Sequence, residues 1–159
     1  MLVYHSLVSS KLRYGLVCWA SASQFLLDKV NVVHNKIITY MTFEKRNRPI
    51  WPLYCQLNVL PLSLLIQIEY AKTMYKFENK LLPQAFDNYF KKPSHQHFTR
   101  FAQNNYAKVR ITSAKEKSLL KHIGPNIWIH IPANIKNAMS LKVFIHSYRT
   151  HLIGNYTDS

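Results

Sequence analysis

The chain has 159 residues, of which 48% are hydrophobic and 13% aromatic, so it is long enough and apolar enough to bury a core, and we expect a folded chain rather than disorder throughout. It carries 21 Lys and Arg against seven acidic residues, a formal net charge of +14 with a pI near 9.9. Such an excess attracts polyanions; nucleic acid is the commonest, although anionic lipid gives the same signal. From this charge we expect RNA or DNA as partners. Because the sequence has no run of 18 apolar residues, we expect no membrane span.

The first predicted elements lead into one long amphipathic helix. Residues 1–8 suit a short helix that ends near residues 9–10, and Gly15 permits the positive φ of a turn. Trp19 is expected to anchor the core, and Ser23 to cap the long helix. Apolar residues then recur at intervals of four, three, four and four, which predicts one buried face. That predicted face consists of Leu26, Val30, Val33, Ile37 and Met41.

Prolines mark the predicted helix boundaries in the next stretch. Pro49 stops the long helix because it disfavours α geometry at Arg48. Residues 52–57 fit a short helix, and Pro61, at a first helical position, starts a second long helix over residues 62–80. The buried stripe of that helix follows spacings of four, three and four. Its members are Leu64, Ile68, Ala71 and Tyr75.

The remaining third is less regular. Residues 84–90 predict one or two helical turns, and residues 109–112 fit either an irregular connection or a short strand pair. Gly124-Pro125 is expected to break the chain, and Ser140 to cap a final helix. The apolar positions of that helix are Leu141, Phe144, Ile145, Tyr148 and Leu152.

These patterns predict a mainly α fold, an irregular helical bundle of about four to six helices with a long basic, loop-rich segment. We expect three regions: a helical region over residues 1–90, a basic aromatic loop-rich segment over residues 91–117 and a C-terminal helical segment over residues 118–159.

Catalytic and metal-binding patterns are weak. A polymerase needs carboxylates grouped to hold two divalent cations, and none of the three aspartates is adjacent to another acid. With three glycines the sequence has no glycine-rich phosphate loop and no Gly-x-Ser-x-Gly turn. His95 and His97 have no cysteine or carboxylate at zinc-finger spacing. We therefore predict no catalytic residue and no metal site.

Two cysteines, Cys18 and Cys55, lie 37 positions apart, which argues against a disulfide framework. We expect both to be small buried hydrophobes in a reducing, intracellular compartment.

Cations and aromatic residues alternate along residues 91–117, the pattern in which cations meet phosphates and exposed rings stack on unpaired bases. Lys29 and Lys36, one heptad apart, form either a solvated face or a row that follows phosphates. The rings with predicted stacking are Phe98, Phe101 and Tyr106. The predicted nucleic-acid-binding cations are Lys45, Arg46, Arg48, Lys91, Lys92, Arg100, Lys108 and Arg110.

A series of short motifs carries a family resemblance. The stretch from Tyr4 to Trp19, with Leu12-Arg13-Tyr14-Gly15 inside it, resembles a landmark beyond the polymerase core of jockey-like non-LTR retrotransposon reverse transcriptases. Further motifs of that family follow in order over some 140 residues, and His130 departs from an often aliphatic position. These motifs are Val30–Lys36, Pro52-Leu53-Tyr54, Leu57–Pro61, Tyr75-Lys76-Phe77, Leu82-Pro83, Phe90, Arg100, Gly124–Trp128, Ile131-Pro132, Ile135-Lys136 and Ser140–Phe144.

The resemblance implies a C-terminal fragment of an RNA-directed DNA polymerase, with residues 1–90 including or following the thumb. In that family the catalytic aspartates of the Tyr/Phe-x-Asp-Asp motif lie upstream, so this chain is predicted to be inactive alone and to help hold template and primer. Magnesium would be used by the missing polymerase core, which is itself an expected partner, and the setting would be nuclear or cytoplasmic.

Three alternatives stay open. The chain fits a stand-alone basic helical protein that binds RNA or DNA without enzymatic activity. It also fits a decayed reading frame. Residues 1–27, which have five serines and no acid, resemble a mitochondrial transit peptide as well.

Overall fold

The computed structural model describes residues 2–44, 48–90, 106 and 119–156. The predicted mainly α fold is confirmed, and these residues contain eight α-helices and no strand. Five helices have seven residues or more, and three are single turns of four residues. In chain order they are α1 (Ser10–Arg13), α2 (Leu16–Trp19), α3 (Gln24–Thr42), α4 (Ile50–Gln56), α5 (Leu62–Glu78), α6 (Leu120–His130), α7 (Ala133–Lys136) and α8 (Leu141–Asn155). The strand pair predicted at residues 109–112 lies outside the described residues.

The chain forms two compact units. The first unit comprises Met1–Ile66 and Tyr156–Ser159, and the second comprises Gln67–Asn155. The predicted regions 1–90, 91–117 and 118–159 stay a prediction, because most of the middle region lies outside the described residues.

The first unit opens with a π-helical segment, Tyr4–Ser9, that runs directly into α1. Helical structure therefore continues past the predicted end near residues 9–10. Gly15 has a φ of 59°, in the left-handed region where glycine meets no steric cost, so the predicted turn is confirmed. Trp19 is half-buried and its indole Nε1 donates to the Tyr14 carbonyl at 3.1 Å, so it supports this turn at the margin of the core.

The start of α3 was predicted correctly, with Ser23 as the N-cap residue, although its side chain makes no capping hydrogen bond. The predicted buried face was correct only in part, because Ile37 and Met41 pack against the core. His34 and Ile38 are the buried residues of α3, whereas Leu26 is 50% exposed and Val33 is 56% exposed. Because apolar residues lie on both sides of this helix, spacing alone could not identify the side that packs.

The core of the first unit forms where α3 packs on α4. Its buried members are Tyr4, Ile38, Leu53, Tyr54 and Val59. Helix α5 begins one residue after Pro61. All four residues of its predicted stripe are buried, so that prediction is confirmed.

In the second unit, the predicted break at Gly124-Pro125 was wrong, since α6 continues through both residues. Proline costs this helix the hydrogen bond to the carbonyl four residues earlier, and the burial of Pro125 and Trp128 offsets that loss. A Cβ atom on Gly124 would lie 2.9 Å from the Met74 Sδ, so the lack of a side chain here lets α6 lie close to α5.

Helix α8 begins as predicted, because the Val143 amide donates to the Ser140 Oγ at 3.3 Å. Phe144 lies at the centre of the second unit's core. Its ring centroid is 4.6 Å from that of Tyr75, 5.9 Å from Trp128 and 6.0 Å from Tyr148. The Tyr75 hydroxyl donates to the Ala138 carbonyl at 2.7 Å, which links α5 to the connection between α7 and α8.

Candidate nucleic-acid interface

Of the eight cations predicted to bind nucleic acid, Arg48 is described. Its Nη1 donates to the Glu44 Oε1 at 2.9 Å across the connection between α3 and α4. An exposed ion pair of this kind contributes little to stability, and one bond leaves most of the five guanidinium donors for another acceptor. Arg48 therefore stays compatible with a phosphate contact. The other seven, Lys45, Arg46, Lys91, Lys92, Arg100, Lys108 and Arg110, lie outside the described residues.

Tyr106 was predicted to stack on bases, and that prediction was wrong. Its ring is buried against Phe77 and Phe90, with centroids 6.0 Å and 5.6 Å away. Its hydroxyl donates to the Glu78 Oε1 at 2.5 Å, and burial, reinforced by Glu78, raises the pKa of the phenol. Tyr106 is thus a core residue of the second unit. Phe98 and Phe101 lie outside the described residues.

The described cations of the second unit are partly engaged within the chain. Lys72 donates to Glu69 at 2.8 Å, and the Lys121 ammonium lies 5.8 Å from the Tyr89 ring centroid. The Lys136 ammonium lies 5.4 Å from the Trp128 ring centroid, and burial lowers its pKa against the opposing effect of Glu78. These three lysines thus also support the fold.

Several lysines in the described part of the chain lie outside its ion pairs. The described part of the chain forms two ion pairs, Arg48 with Glu44 and Lys72 with Glu69. Five exposed lysines take part in neither: Lys11, Lys29, Lys36, Lys80 and Lys142. Their charge is available to an external anion.

Helix α3 combines two of the exposed lysines with exposed rings. We call this surface the outward face of α3. It consists of Phe25, Leu26, Lys29, Val32, Val33, Lys36 and Tyr40, with Phe43 at the helix end. The Lys29 ammonium lies 4.2 Å from the Phe25 ring centroid, so cation and ring form one composite contact. The sequence pattern predicted Lys29 and Lys36 but not the rings. The recurrence of these rings at helical spacing beside the lysines could have identified them.

The opposite face of α3 carries a buried polar network around His34, which is 1% exposed. The Tyr54 hydroxyl donates to the Asn35 Oδ1 at 2.7 Å, so it accepts the Nδ1–H of His34 at 3.1 Å. The His34 Nε2 then accepts from the Tyr4 hydroxyl at 2.7 Å. Every polar atom of the neutral imidazole has a partner, and the geometry selects the Nδ1–H tautomer.

This network favours uncharged groups. Burial lowers the pKa of His34 to about 4 and raises the pKa of Tyr4 to about 12, the latter against a smaller lowering effect of Arg13. The pKa of Tyr54 also rises, chiefly through burial. A neutral, buried histidine with both nitrogens bonded acts as a structural link between the π-helical segment, α3 and α4.

The two cysteines do not behave as predicted. Cys18 and Cys55 are exposed free thiols, because α2 and α4 bury Leu16 and Leu53 instead. Among the residues that the structure describes, no three histidine, cysteine, aspartate or glutamate side chains lie close enough together to hold a metal ion. None of the helices described is both long and apolar enough to span a bilayer.

Comparisons with protein-family models, with curated proteins and with solved structures give no match to this chain.

Proposed function

We propose that this chain is a noncatalytic C-terminal part of the RNA-directed DNA polymerase of a jockey-like non-LTR retrotransposon, and that it contributes binding of template and primer. The catalytic aspartates and the magnesium ions belong to the polymerase core of that family. The role of this part is to hold phosphates, through lysine and arginine side chains, while that core performs nucleotide addition.

One observation carries the proposal. Residues from three separate motifs of the resemblance meet in a single hydrogen-bonded network: Tyr4 from the opening landmark, His34 from the next helix and Tyr54 from Pro-Leu-Tyr. Motifs far apart in the sequence thus serve one packing arrangement, which supports treating them as parts of one inherited unit.

The second unit supports the proposal in the same way. Four residues of the C-terminal motifs are buried: Trp128, Ile131, Ile135 and Phe144. The motif glycine, Gly124, lies where a side chain would meet Met74. These residues have structural roles, so binding falls to the exposed cations.

The charge of the chain supports nucleic acid as the ligand. The net charge of +14 is opposed by few internal ion pairs in the described part, so a polyanion is the natural source of neutralisation. A surface that contacts about six phosphates predicts a slope of log affinity against log salt near −5 on duplex DNA and near −4 on a single strand.

Fluorescence anisotropy tests the proposal directly. The purified chain is titrated into labelled single-stranded RNA, single-stranded DNA and an RNA–DNA hybrid, with heparin as competitor, at salt concentrations from about 50 to 200 mM. We expect binding that weakens with salt along the slopes above. Lack of binding at the lowest salt contradicts the proposal, and primer extension by the purified chain refutes its noncatalytic part.

A stand-alone basic helical protein that binds RNA or DNA is the alternative, and exposed lysines on both units favour it equally. An in-frame upstream coding segment with a Tyr/Phe-x-Asp-Asp motif distinguishes the two. The presence of such a segment supports the polymerase proposal. An in-frame stop codon upstream of this coding sequence, with a promoter between the two, supports the alternative.

A further inference from the structure

We infer that the outward face of α3 binds single-stranded nucleic acid, with Lys29 and Lys36 on the phosphates and Phe25 and Phe43 against unpaired bases. The inference rests on the proposed function and assigns a site and a ligand class to it.

The arrangement of side chains on this face comes first. At about 100° per residue, Lys29 and Lys36 project within about 20° of each other, and Phe25 and Tyr40 lie on opposite sides of them. The lysines are about 10 Å apart along the axis at 1.5 Å per residue. Positive charge therefore follows the middle of the face, and rings flank it.

Phe43 provides the second argument. It ends α3 with a φ of 55°, a left-handed conformation that is unfavourable for a bulky residue, and its side chain is 96% exposed. Glycine would occupy this position without strain. The ring of Phe43 thus gains no burial within the described chain. Its position at the helix end leaves both ring faces open to an external base.

Charge identifies the occupant. Asp28 is the acid at the edge of this face, and it accepts a hydrogen bond from the Gln24 Nε2 at 2.8 Å, so the two ammonium groups have no carboxylate on the face itself. A membrane or an apolar groove would bury both ammonium groups at the centre of the contact, which is costly. A single strand offers phosphates to the centre and base rings to the flanks.

The dimensions suit a short strand. From Phe25 to Phe43 the helix rises about 27 Å, which equals about eight stacked nucleotides at about 3.4 Å each. That length lies within the ~4–16 nucleotides typical of single-strand sites. An eight-nucleotide probe therefore covers the face.

Two probes separate base stacking from phosphate contact: an octamer of thymidylate and an abasic octamer with the same phosphates. The variant Phe43→Gly is expected to lower affinity for the thymidylate octamer by about 5-fold or more, since stacking on one base has that size. It should leave affinity for the abasic octamer unchanged and the melting temperature unchanged or higher. Tyr14→Ala, at another exposed ring, is the matched control and should change neither affinity.

The lysines are tested with the double variant Lys29→Gln and Lys36→Gln. It should weaken binding of both octamers and reduce the salt slope by about 1.4, because each phosphate contact on a single strand contributes about 0.7. The control is Lys80→Gln with Lys142→Gln, which removes the same charge from exposed lysines of the second unit and should reduce the slope for the octamers less than the α3 variant does.

The outcomes separate this inference from the proposed function. Failure of the unaltered chain to bind any nucleic acid refutes the proposed function. Binding that Phe43→Gly and the α3 lysine variants leave unchanged refutes the inference alone. If Phe43→Gly lowers the affinity for the thymidylate and abasic octamers equally, stacking of a base on Phe43 is refuted.

Discussion

The cores of the two units are built by different means from residues of the same set of motifs. Around His34 the first unit buries a polar network in which a neutral imidazole bonds to both Tyr4 and Tyr54. Around Phe144 the second unit buries rings packed on one another. The buried motif residues thus stabilise the fold, so nucleic-acid binding is to be sought on exposed side chains.

The largest expected effect is in the second unit. Phe144→Ala removes a fully buried ring from the centre of an aromatic cluster and should lower the free energy of unfolding by about 3–5 kcal/mol. Urea unfolding followed by circular dichroism measures it. Val143→Ala, at the exposed neighbouring position, should change stability by less than about 0.5 kcal/mol. A loss below about 1 kcal/mol for Phe144→Ala would show that the cluster is not a core.

The first unit should differ in its response to acid. The folded pKa of His34, about 4, lies below the ordinary value of 6.5, so the unfolded chain binds more protons between these values. The contribution of His34 to the free energy of unfolding is therefore fully present above pH 6.5. It is lost as pH falls towards 4, by about 3 kcal/mol at most.

Unfolding of the chain and of His34→Gln across this pH range checks the prediction. Because other groups titrate in both proteins, the difference between them isolates His34. We expect the two stability curves to approach each other as pH falls. Parallel curves would mean that His34 has an ordinary pKa.

Removing one hydroxyl from the network tests its hydrogen bonds separately from its charge. Tyr4→Phe leaves the His34 Nε2 buried without a donor and should lower the free energy of unfolding by about 1–3 kcal/mol. Tyr14→Phe, at an exposed ring, is the control and should have no effect. Equal stability of Tyr4→Phe and the unaltered chain would indicate that water satisfies the imidazole.

The smallest expected effect has the opposite sign. Phe43→Gly relieves the positive φ at the end of α3 and should raise the free energy of unfolding by about 1 kcal/mol. Phe43→Ala keeps the conformational strain and should give a smaller gain. Thermal unfolding by calorimetry measures both changes, and destabilisation by the glycine would show that Phe43 packs on the chain.

Sequence patterns predicted α5 well and α3 only in part, for a physical reason. Helix α5 is buried on several sides, including at Leu65, Tyr70 and Met74. The four residues of the predicted stripe, Leu64, Ile68, Ala71 and Tyr75, are therefore all buried. Helix α3 is apolar on two sides, and its buried side is decided by the hydrogen bonds of His34 with residues 30 positions before it and 20 after it. Spacing within a helix contains no information about such distant partners.

The break predicted at Pro125 fails for a related reason. Local rules assign proline a cost in a helix, and the burial of Pro125 and the close approach of Gly124 to Met74 depend on a second helix. Turn chemistry at Gly15 and the cap at Ser140 involve neighbours within a few residues, and both were predicted correctly. For the candidate interface, composition predicted a basic surface. Which rings are exposed depends on how the helices pack, and composition does not contain that information.

Photo-crosslinking of an RNA that carries 4-thiouridine, followed by mass spectrometry of the crosslinked peptides, tests the central claim most directly. The account predicts crosslinks on the outward face of α3, at Phe25, Tyr40 or Phe43, and none at the buried rings of Trp128 and Tyr148. Crosslinks at the buried rings without any on α3 would contradict it.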